Sequence, residues 1–130
     1  MAAHRESLSA PGAPAAVGPY VHAVRAGGLL FCSGQIPLDP GSGELVGATP
    51  AEQVRRCLEN LEAVCRAAGA GLSDAARVTI YLLDIAALAE VNEAYAAFFL
   101  AEPPARFAFA VAGLPRGAQV AIDAVIALPE

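Results

Sequence analysis

The sequence PARFAFAVA, at residues 104–112, alternates between two kinds of side chain, one residue at a time. An alternation with a period of two predicts a β-strand, with the two phenylalanines and the last valine on one face. On the other face Arg106 stands beside alanines, of which Ala108 is two residues away. Small side chains next to a guanidinium leave a hollow with a positive edge, which suits a small carboxylate. The alternative is an arginine that is simply solvated at the end of a strand.

The segments around this strand predict two helices and four further strands. The clearer helix covers residues 49–69, with threonine at the N-cap, proline at the first helical position and glutamate at the third. A second helix covers about residues 87–100, and two prolines end it. Strand-like runs lie at residues 20–25, 29–33, 77–83 and 119–128. The resulting β-β-α-β-α-β-β order predicts an α+β fold with mixed strand pairing.

The last of these strands is mostly apolar on both faces, with Asp123 the exception, and this indicates burial on both faces. Two helices cover only one face of a sheet of five or six strands. The simplest cover for the second face, which carries Ala121, Val125, Thr79 and Tyr81, is another copy of the same chain. The sequence therefore predicts a homo-oligomer.

The length and composition predict one domain. A flexible lead-in over residues 1–14 is rich in alanine, proline, serine and glycine, and a single domain follows over residues 15–130. No apolar run approaches the roughly 18–20 residues that a membrane span needs, and no apolar signal region opens the chain. We therefore expect a cytoplasmic protein without membrane partners.

The charged and metal-binding residues exclude several classes of site. Lysine is absent, which excludes a lysine Schiff base and a P-loop. The net charge of −5 argues against nucleic-acid binding, which normally needs a basic patch. His4 and His22 stand far apart without further ligands nearby, so no metal site is expected. The three cysteines lack CxxC spacing and are expected to be reduced thiols.

Five motifs in this order resemble the RidA/YjgF family of reactive intermediate deaminases, and the similarity covers about residues 15–128. They are GPY at 18–20, FCSGQIP at 31–37, VNEAY at 91–95, PAR at 104–106 and LP at 114–115. The resemblance implies a chorismate-mutase-like fold with two helices on one face of a mixed sheet. It also implies a homotrimer in which the sheets form a central barrel with three ligand clefts between subunits.

The chemistry implied by the resemblance is hydrolysis of enamines and imines, such as 2-aminoacrylate, to 2-oxo acids and ammonia without a cofactor. Arg106 would clamp the substrate carboxylate as the main catalytic residue. Ser33 and Tyr20 would line the cleft, and Asn92 would reach in from an adjacent subunit. Taken alone, Ser33 could instead bond the backbone, Tyr20 could pack beside Pro19, and Asn92 could be solvated.

Two positions of the cleft depart from the family pattern. Ala108 stands where members often have a cysteine, and Ala121 stands where deaminating members have a glutamate that holds the attacking water. Asp123 is displaced by roughly 7 Å along the same strand face and could act only on a water in a different position.

Three functions therefore remain open. They are imine deamination, non-catalytic binding of a small carboxylate metabolite, and hydrolysis of another acyl or imino substrate. The endoribonuclease label that some relatives carry is opposed by the acidic charge.

Overall fold

A computed structural model describes residues 3–130 as one mixed six-stranded sheet with two helices. In chain order the elements are β1 (Glu6–Leu8), β2 (Ala23–Ala26), β3 (Leu29–Gln35), α1 (Pro50–Ala67), β4 (Ala75–Leu82), α2 (Leu88–Ala96), β5 (Ala105–Ala110) and β6 (Val120–Ala127). The strand order is β1-β2-β3-β6-β4-β5. Strands β4 and β5 pair in parallel and the other neighbours pair antiparallel. The predicted α+β class with mixed pairing is confirmed.

Helix α1 forms where its local signals place it. The hydroxyl of Thr49 accepts a hydrogen bond from the Glu52 backbone N–H at 3.2 Å, and Pro50 occupies the first helical position. The Glu52 carboxylate reaches back to the Ala48 N–H at 2.8 Å, so a second free donor at the helix start is satisfied. Gly69 takes the left-handed conformation after the last turn, with φ 79°.

The hydrophobic core lies between the helices and one face of the sheet. Every second residue of the central strands points into it, including Leu30 of β3, Ile80 of β4 and Ile122 of β6. Helix α1 contributes its apolar stripe, in which Leu58 and Leu61 are fully buried. The predicted cover of one sheet face by two helices is therefore confirmed.

The opposite face of the sheet, here called the open face, carries no helix. Phe31, Phe107 and Phe109 are exposed there, with 58% of Phe107 accessible to solvent. Phe109 packs edge-on against both Phe107 and Tyr81, at centroid separations of 5.3 and 5.2 Å. A cluster of aromatic rings that a single chain leaves in water favours a further protein surface over it.

The N-terminal segment is more ordered than the sequence predicts. Instead of a flexible lead-in over residues 1–14, the structure has strand β1 paired with β2, and Ala10 and Ala13 are buried. His22 ties this segment down, because its Nδ1 accepts from the Ala10 N–H at 2.8 Å and its Nε2 donates to the Pro14 carbonyl at 2.7 Å. These pairings are long-range and leave no periodic signal in the sequence. Residues 1 and 2 lie outside the described part.

The boundaries of helix α2 and strand β2 also differ from the prediction. Helix α2 ends at Ala96 rather than near residue 100, and a single 3₁₀ turn, Ile85–Ala87, precedes it. Strand β2 begins at Ala23 rather than at Tyr20, because residues 20–22 form no ladder pairs.

Candidate functional site

Arg106 lies on β5, the edge strand of the sheet, where its side chain is exposed. It pairs with Val78 of β4 and so belongs to the helix-side face, next to α2. Its Nη1 donates a 2.8 Å hydrogen bond to the Asn92 side-chain oxygen. Its guanidinium carbon stands 5.0 Å from the centroid of the Tyr95 ring. We call Arg106, Asn92, Tyr95 and Ala108 the arginine half-site.

Tyr95 forms the floor of the arginine half-site. It is only 6% exposed and stacks in a tilted geometry on Phe99, with ring centroids 4.6 Å apart. Its hydroxyl finds no hydrogen-bond partner within residues 3–130. Burial raises the pKa of the Tyr95 phenol, and the positive charge of Arg106 opposes that rise.

Ala108 follows Arg106 on the same face of β5, opposite Ile80 of β4. It is half-buried against the edge of the core. The side chain next to the guanidinium along this face of the strand is thus only a methyl group. The arginine half-site therefore consists of a cation with a small apolar neighbour, and two residues of α2 contact the cation.

Ser33 lies in a β-bulge of strand β3. Cys32 pairs with Ala124 and Gln35 pairs with Ile122, so Ser33 and Gly34 together oppose the single residue Asp123. Bulges re-aim the side chains around them and are common beside active sites. The Ser33 hydroxyl donates to the Val21 carbonyl at 2.6 Å, and its N–H donates to the His22 carbonyl at 2.9 Å.

These two bonds bring the segment that carries Tyr20 alongside Ser33. Tyr20 is 44% exposed, and its hydroxyl accepts a 3.2 Å hydrogen bond from the Val17 N–H. The Ser33 hydroxyl thus bonds the backbone, which was the alternative to a role in the cleft. The same bond positions Tyr20 beside the bulge. Two of the predicted cleft residues therefore share one region of the chain.

Asp123 and Tyr81 form a hydrogen-bonded pair on the open face, with the Tyr81 hydroxyl donating to the carboxylate at 2.8 Å. Burial raises the pKa of Tyr81, and the Asp123 carboxylate raises it further. Ala121 lies directly across from Tyr81 in the β4–β6 ladder and is 8% exposed. We call Tyr20, Ser33, Ala121, Asp123 and Tyr81 the serine half-site.

The two half-sites do not meet within one chain. Strands β3 and β5 are three positions apart in the sheet, so about 14 Å separates Ser33 from Arg106 at the usual strand spacing. Ser33 is also on the open face, whereas Arg106 is on the helix side. A small carboxylate cannot contact both in a single subunit. Asn92 bonds Arg106 within the chain and so belongs to the same half-site; that it reaches Ser33 and Tyr20 from an adjacent subunit stays a prediction.

Two surface cavities of the described chain contain none of the predicted site residues. One, of about 460 Å³, lies between residues 3–6 and 25–28, and the other, of about 250 Å³, lies among residues 14–17, 38–43 and Arg116. The candidate side chains of the sheet instead lie on the edge strand β5 and on the open face of the interior strands β3, β6 and β4.

No group of three or more histidine, cysteine or acidic side chains within residues 3–130 is arranged to hold a metal ion. Cys32, Cys57 and Cys65 are free and buried. Burial raises the pKa of Cys57, and the neighbouring Cys32 thiol together with burial raises that of Cys65. Cys57 and Cys65 are therefore protonated core residues and poor nucleophiles. Within the same residues, neither helix combines the length and apolarity needed to cross a membrane.

Sequence reasoning did not find Tyr81 or Tyr95 as site residues. A signal for Tyr95 existed, because Asn92 and Tyr95 are three residues apart and share a helix face. Tyr81 could not be found in this way, since its contact with Asp123 depends on the register of β4 against β6.

Comparison with known proteins gives one consistent result. A family model described as endoribonuclease L-PSP matches residues 10–128. A RutC family protein, y4sK, of Sinorhizobium fredii is 47% identical over 95% of this chain and 98% of its own. A mouse protein named 2-iminobutanoate/2-iminopropanoate deaminase is 40% identical over 93% of this chain and 88% of its own. The crystal structure of the Escherichia coli YjgF gene product superposes with a TM-score of 0.89 at 38% identity, covering 94% and 98% of the two chains.

Proposed function

Because the chain belongs to the RidA/YjgF family, whose model is described as endoribonuclease L-PSP, we propose that it hydrolyses reactive imines of the 2-aminoacrylate type. The products are a 2-oxo acid and ammonia. The mouse relative named 2-iminobutanoate/2-iminopropanoate deaminase supports this choice of substrate. The observation that carries the proposal is the state of Arg106, which is exposed and held in place but forms no ion pair within residues 3–130.

The guanidinium of Arg106 uses one of its donors on Asn92. The remaining donors are available to a planar carboxylate, which arginine binds through two parallel hydrogen bonds. Hydrogen bonds to charged groups contribute roughly 1.5–3 kcal/mol each. In this proposal the small side chain of Ala108 leaves room for the carbon chain of a three- or four-carbon substrate. Arg106 thus supplies the recognition of the acid group.

The complete cleft in this proposal forms between two subunits of a homotrimer. The arginine half-site of one chain faces the serine half-site of the next, and the three clefts are equivalent by symmetry. Such a contact joins two different surfaces, and a rotation that closes it makes a ring. The exposed aromatic rings of the open face then become buried inside the assembly.

In the proposed reaction the enamine first takes up a proton on carbon and becomes the imine. Water then adds to the imine carbon, and its proton passes to the nitrogen. The resulting amino-carbinol expels ammonia as the carbonyl forms. The protein positions the carboxylate through Arg106 and limits access of bulk water by closing the cleft between chains.

The serine half-site lacks the carboxylate that the resemblance places at Ala121. A positioned acid or base typically contributes roughly 10²–10⁴-fold to a rate. The Asp123 carboxylate already accepts a hydrogen bond from the Tyr81 hydroxyl. Any contribution of Asp123 to catalysis therefore involves the Tyr81–Asp123 pair. We therefore propose a slow deaminase compared with a relative that has glutamate at the position of Ala121.

A second candidate function is binding of a small carboxylate metabolite without turnover. The alanine at position 121 favours it, because it leaves the carboxylate clamp intact and removes the group expected to hold water. For either function we propose a cytoplasmic setting, in which buried reduced thiols such as Cys57 and Cys65 are stable.

The test couples a serine or threonine dehydratase to the protein and follows 2-oxo acid release above the spontaneous rate. Acceleration that is lost in Arg106→Ala is the expected result. If the wild type gives no acceleration but binds 2-oxobutyrate, the metabolite-binding function replaces deamination. If it neither accelerates nor binds, both functions are excluded.

A further inference from the structure

We infer that Tyr95 is a positioning residue for Arg106, and that the face of its aromatic ring, rather than its hydroxyl, presents the guanidinium to the ligand. This inference rests on the proposed function, since it describes how the carboxylate clamp is held. Tyr95 does not touch the ligand in this account and acts only through the arginine.

An arginine on an edge strand needs fixing before it can bind well. Arg106 has a long flexible side chain and is exposed, so a ligand would have to immobilise it at a cost in rotamer freedom. Two contacts already restrict it. Asn92 accepts from Nη1 at 2.8 Å, and the Tyr95 ring lies 5.0 Å from the guanidinium carbon, within the range of a cation–π interaction.

The two supports come from adjacent positions of one helix face. Asn92 and Tyr95 are three residues apart on α2, so a rigid element sets their spacing. Asn92 fixes one end of the guanidinium, and the ring fixes the plane in which it lies. The pre-organised arginine then loses less freedom when a carboxylate binds.

The ring itself is immobile because it belongs to the core. Tyr95 is 94% buried, given its exposure of 6%, and Phe99 packs on it at 4.6 Å. Its hydroxyl is buried without a hydrogen-bond partner within residues 3–130. A buried hydroxyl without a partner is unfavourable, and it makes no bond to Arg106. The aromatic face is therefore the part of the residue that the arginine uses.

The decisive experiment varies the electron density of the ring without changing its shape. Position 95 is occupied in turn by phenylalanine and its 4-fluoro, 3,5-difluoro and 3,4,5-trifluoro derivatives, and 2-oxobutyrate binding is measured by calorimetry. Fluorination weakens the negative face of the ring, so affinity should fall stepwise, by about fivefold across the series. This corresponds to about 1 kcal/mol, the scale of an exposed cation–π contact. The same series at Phe99, which packs on Tyr95, is the matched control and should leave affinity unchanged.

A second readout needs no ligand. The side-chain Nε–H signal of Arg106 should show restricted motion by NMR in the phenylalanine variant and increasing motion along the fluorinated series. In an Arg106→Ala background, fluorination at position 95 should have no effect on whatever binding remains, because the ring acts only through the arginine.

The outcomes separate this inference from the proposed function. If the phenylalanine variant binds 2-oxobutyrate and the fluorinated series is flat in both affinity and Arg106 motion, Tyr95 is only a core residue. If no protein in the series or the wild type binds 2-oxobutyrate, and the wild type does not accelerate imine hydrolysis, the proposed function fails. The NMR measurement then decides the inference on its own: motion that rises with fluorination supports it, and a constant signal overturns it.

Discussion

Replacing Ala121 by glutamate should convert a weak catalyst into a stronger one. Ala121 lies across from Tyr81 and is almost buried, so the introduced carboxyl enters the serine half-site beside the Tyr81–Asp123 pair. Residues 121 and 123 share a strand face at roughly 7 Å. Two carboxylates at that distance repel by roughly 0.6 kcal/mol in water and roughly 2.4 kcal/mol at an effective dielectric constant of 20.

This repulsion raises the pKa of the introduced carboxyl above its ordinary value. The shift brings it closer to the pH at which a general base works best. We expect the rate of imine hydrolysis to rise by roughly 10²–10⁴-fold. The free energy of unfolding should fall by about 1–3 kcal/mol, because a charged group replaces a methyl group at a poorly solvated position.

The assay couples a dehydratase to the variant, and urea unfolding measures its stability. Ala127→Glu is the matched control, since it lies on the same face of β6 but at its exposed end, opposite Leu29. It should leave the rate at the wild-type level. The reasoning is refuted if Ala121→Glu is folded and binds 2-oxobutyrate as the wild type does, yet hydrolyses imines no faster.

Three further predictions follow from the same contacts. Arg106→Ala should weaken 2-oxobutyrate binding at least tenfold with little change in melting temperature. Arg106→Lys should retain only part of the wild-type affinity, because an ammonium cannot make the planar two-pronged contact. Calorimetry measures both affinities, and an unchanged affinity in Arg106→Ala would show that Arg106 is only a solvated residue at the strand edge. If Asp123 and Tyr81 act as a unit, Asp123→Asn and Tyr81→Phe should lower the rate of imine hydrolysis to the same extent, and the double variant should be no slower than either single variant. Additive losses in the double variant would contradict this. The free energy of unfolding should fall as pH rises through about 10, because tyrosines with a raised folded pKa bind their protons more tightly in the folded state than in the unfolded state. Urea titrations should show a smaller fall in the free energy of unfolding for the variant with phenylalanine at both positions 81 and 95 than for the wild type. An equal fall in the two proteins would contradict the assignment of this pH dependence to Tyr81 and Tyr95.

Local signals were sufficient for much of the fold and for one half of the site. Helix α1 was predictable from Thr49 to Gly69 because capping depends on residues within a few positions. The alternation around Arg106 correctly predicted that Ala108 shares its face, because side chains two residues apart in a strand point the same way.

The rest of the site depends on register and edge position, which one sequence does not encode locally. The bulge at Ser33 is visible only when β3 is paired with β6. The separation of Arg106 from Ser33 follows from the order β3-β6-β4-β5, and their opposite faces follow from the ladder registers, neither of which neighbouring residues specify. Strand β1 escaped prediction for the same reason, because its partner is β2, about 17 residues along the chain.

The central claim is that a working cleft combines the arginine half-site of one chain with the serine half-site of another. Subunit complementation tests it directly. Arg106→Ala removes the first half-site, and Ser33→Asp places a repelling negative charge in the second. Each protein is first shown to be folded, to have the mass of a trimer by light scattering, and to bind no 2-oxobutyrate. Equal amounts are then unfolded together in urea, refolded and titrated with 2-oxobutyrate.

In a randomly mixed trimer, a cleft is intact when its arginine comes from the Ser33→Asp chain and its serine from the Arg106→Ala chain. About half of the chains are of each kind, so roughly a quarter of the clefts should regain wild-type affinity. Binding at that stoichiometry is the result expected from the structure. Complete absence of binding in mixed trimers, shown to contain both chains by mass spectrometry, would contradict a cleft shared between subunits.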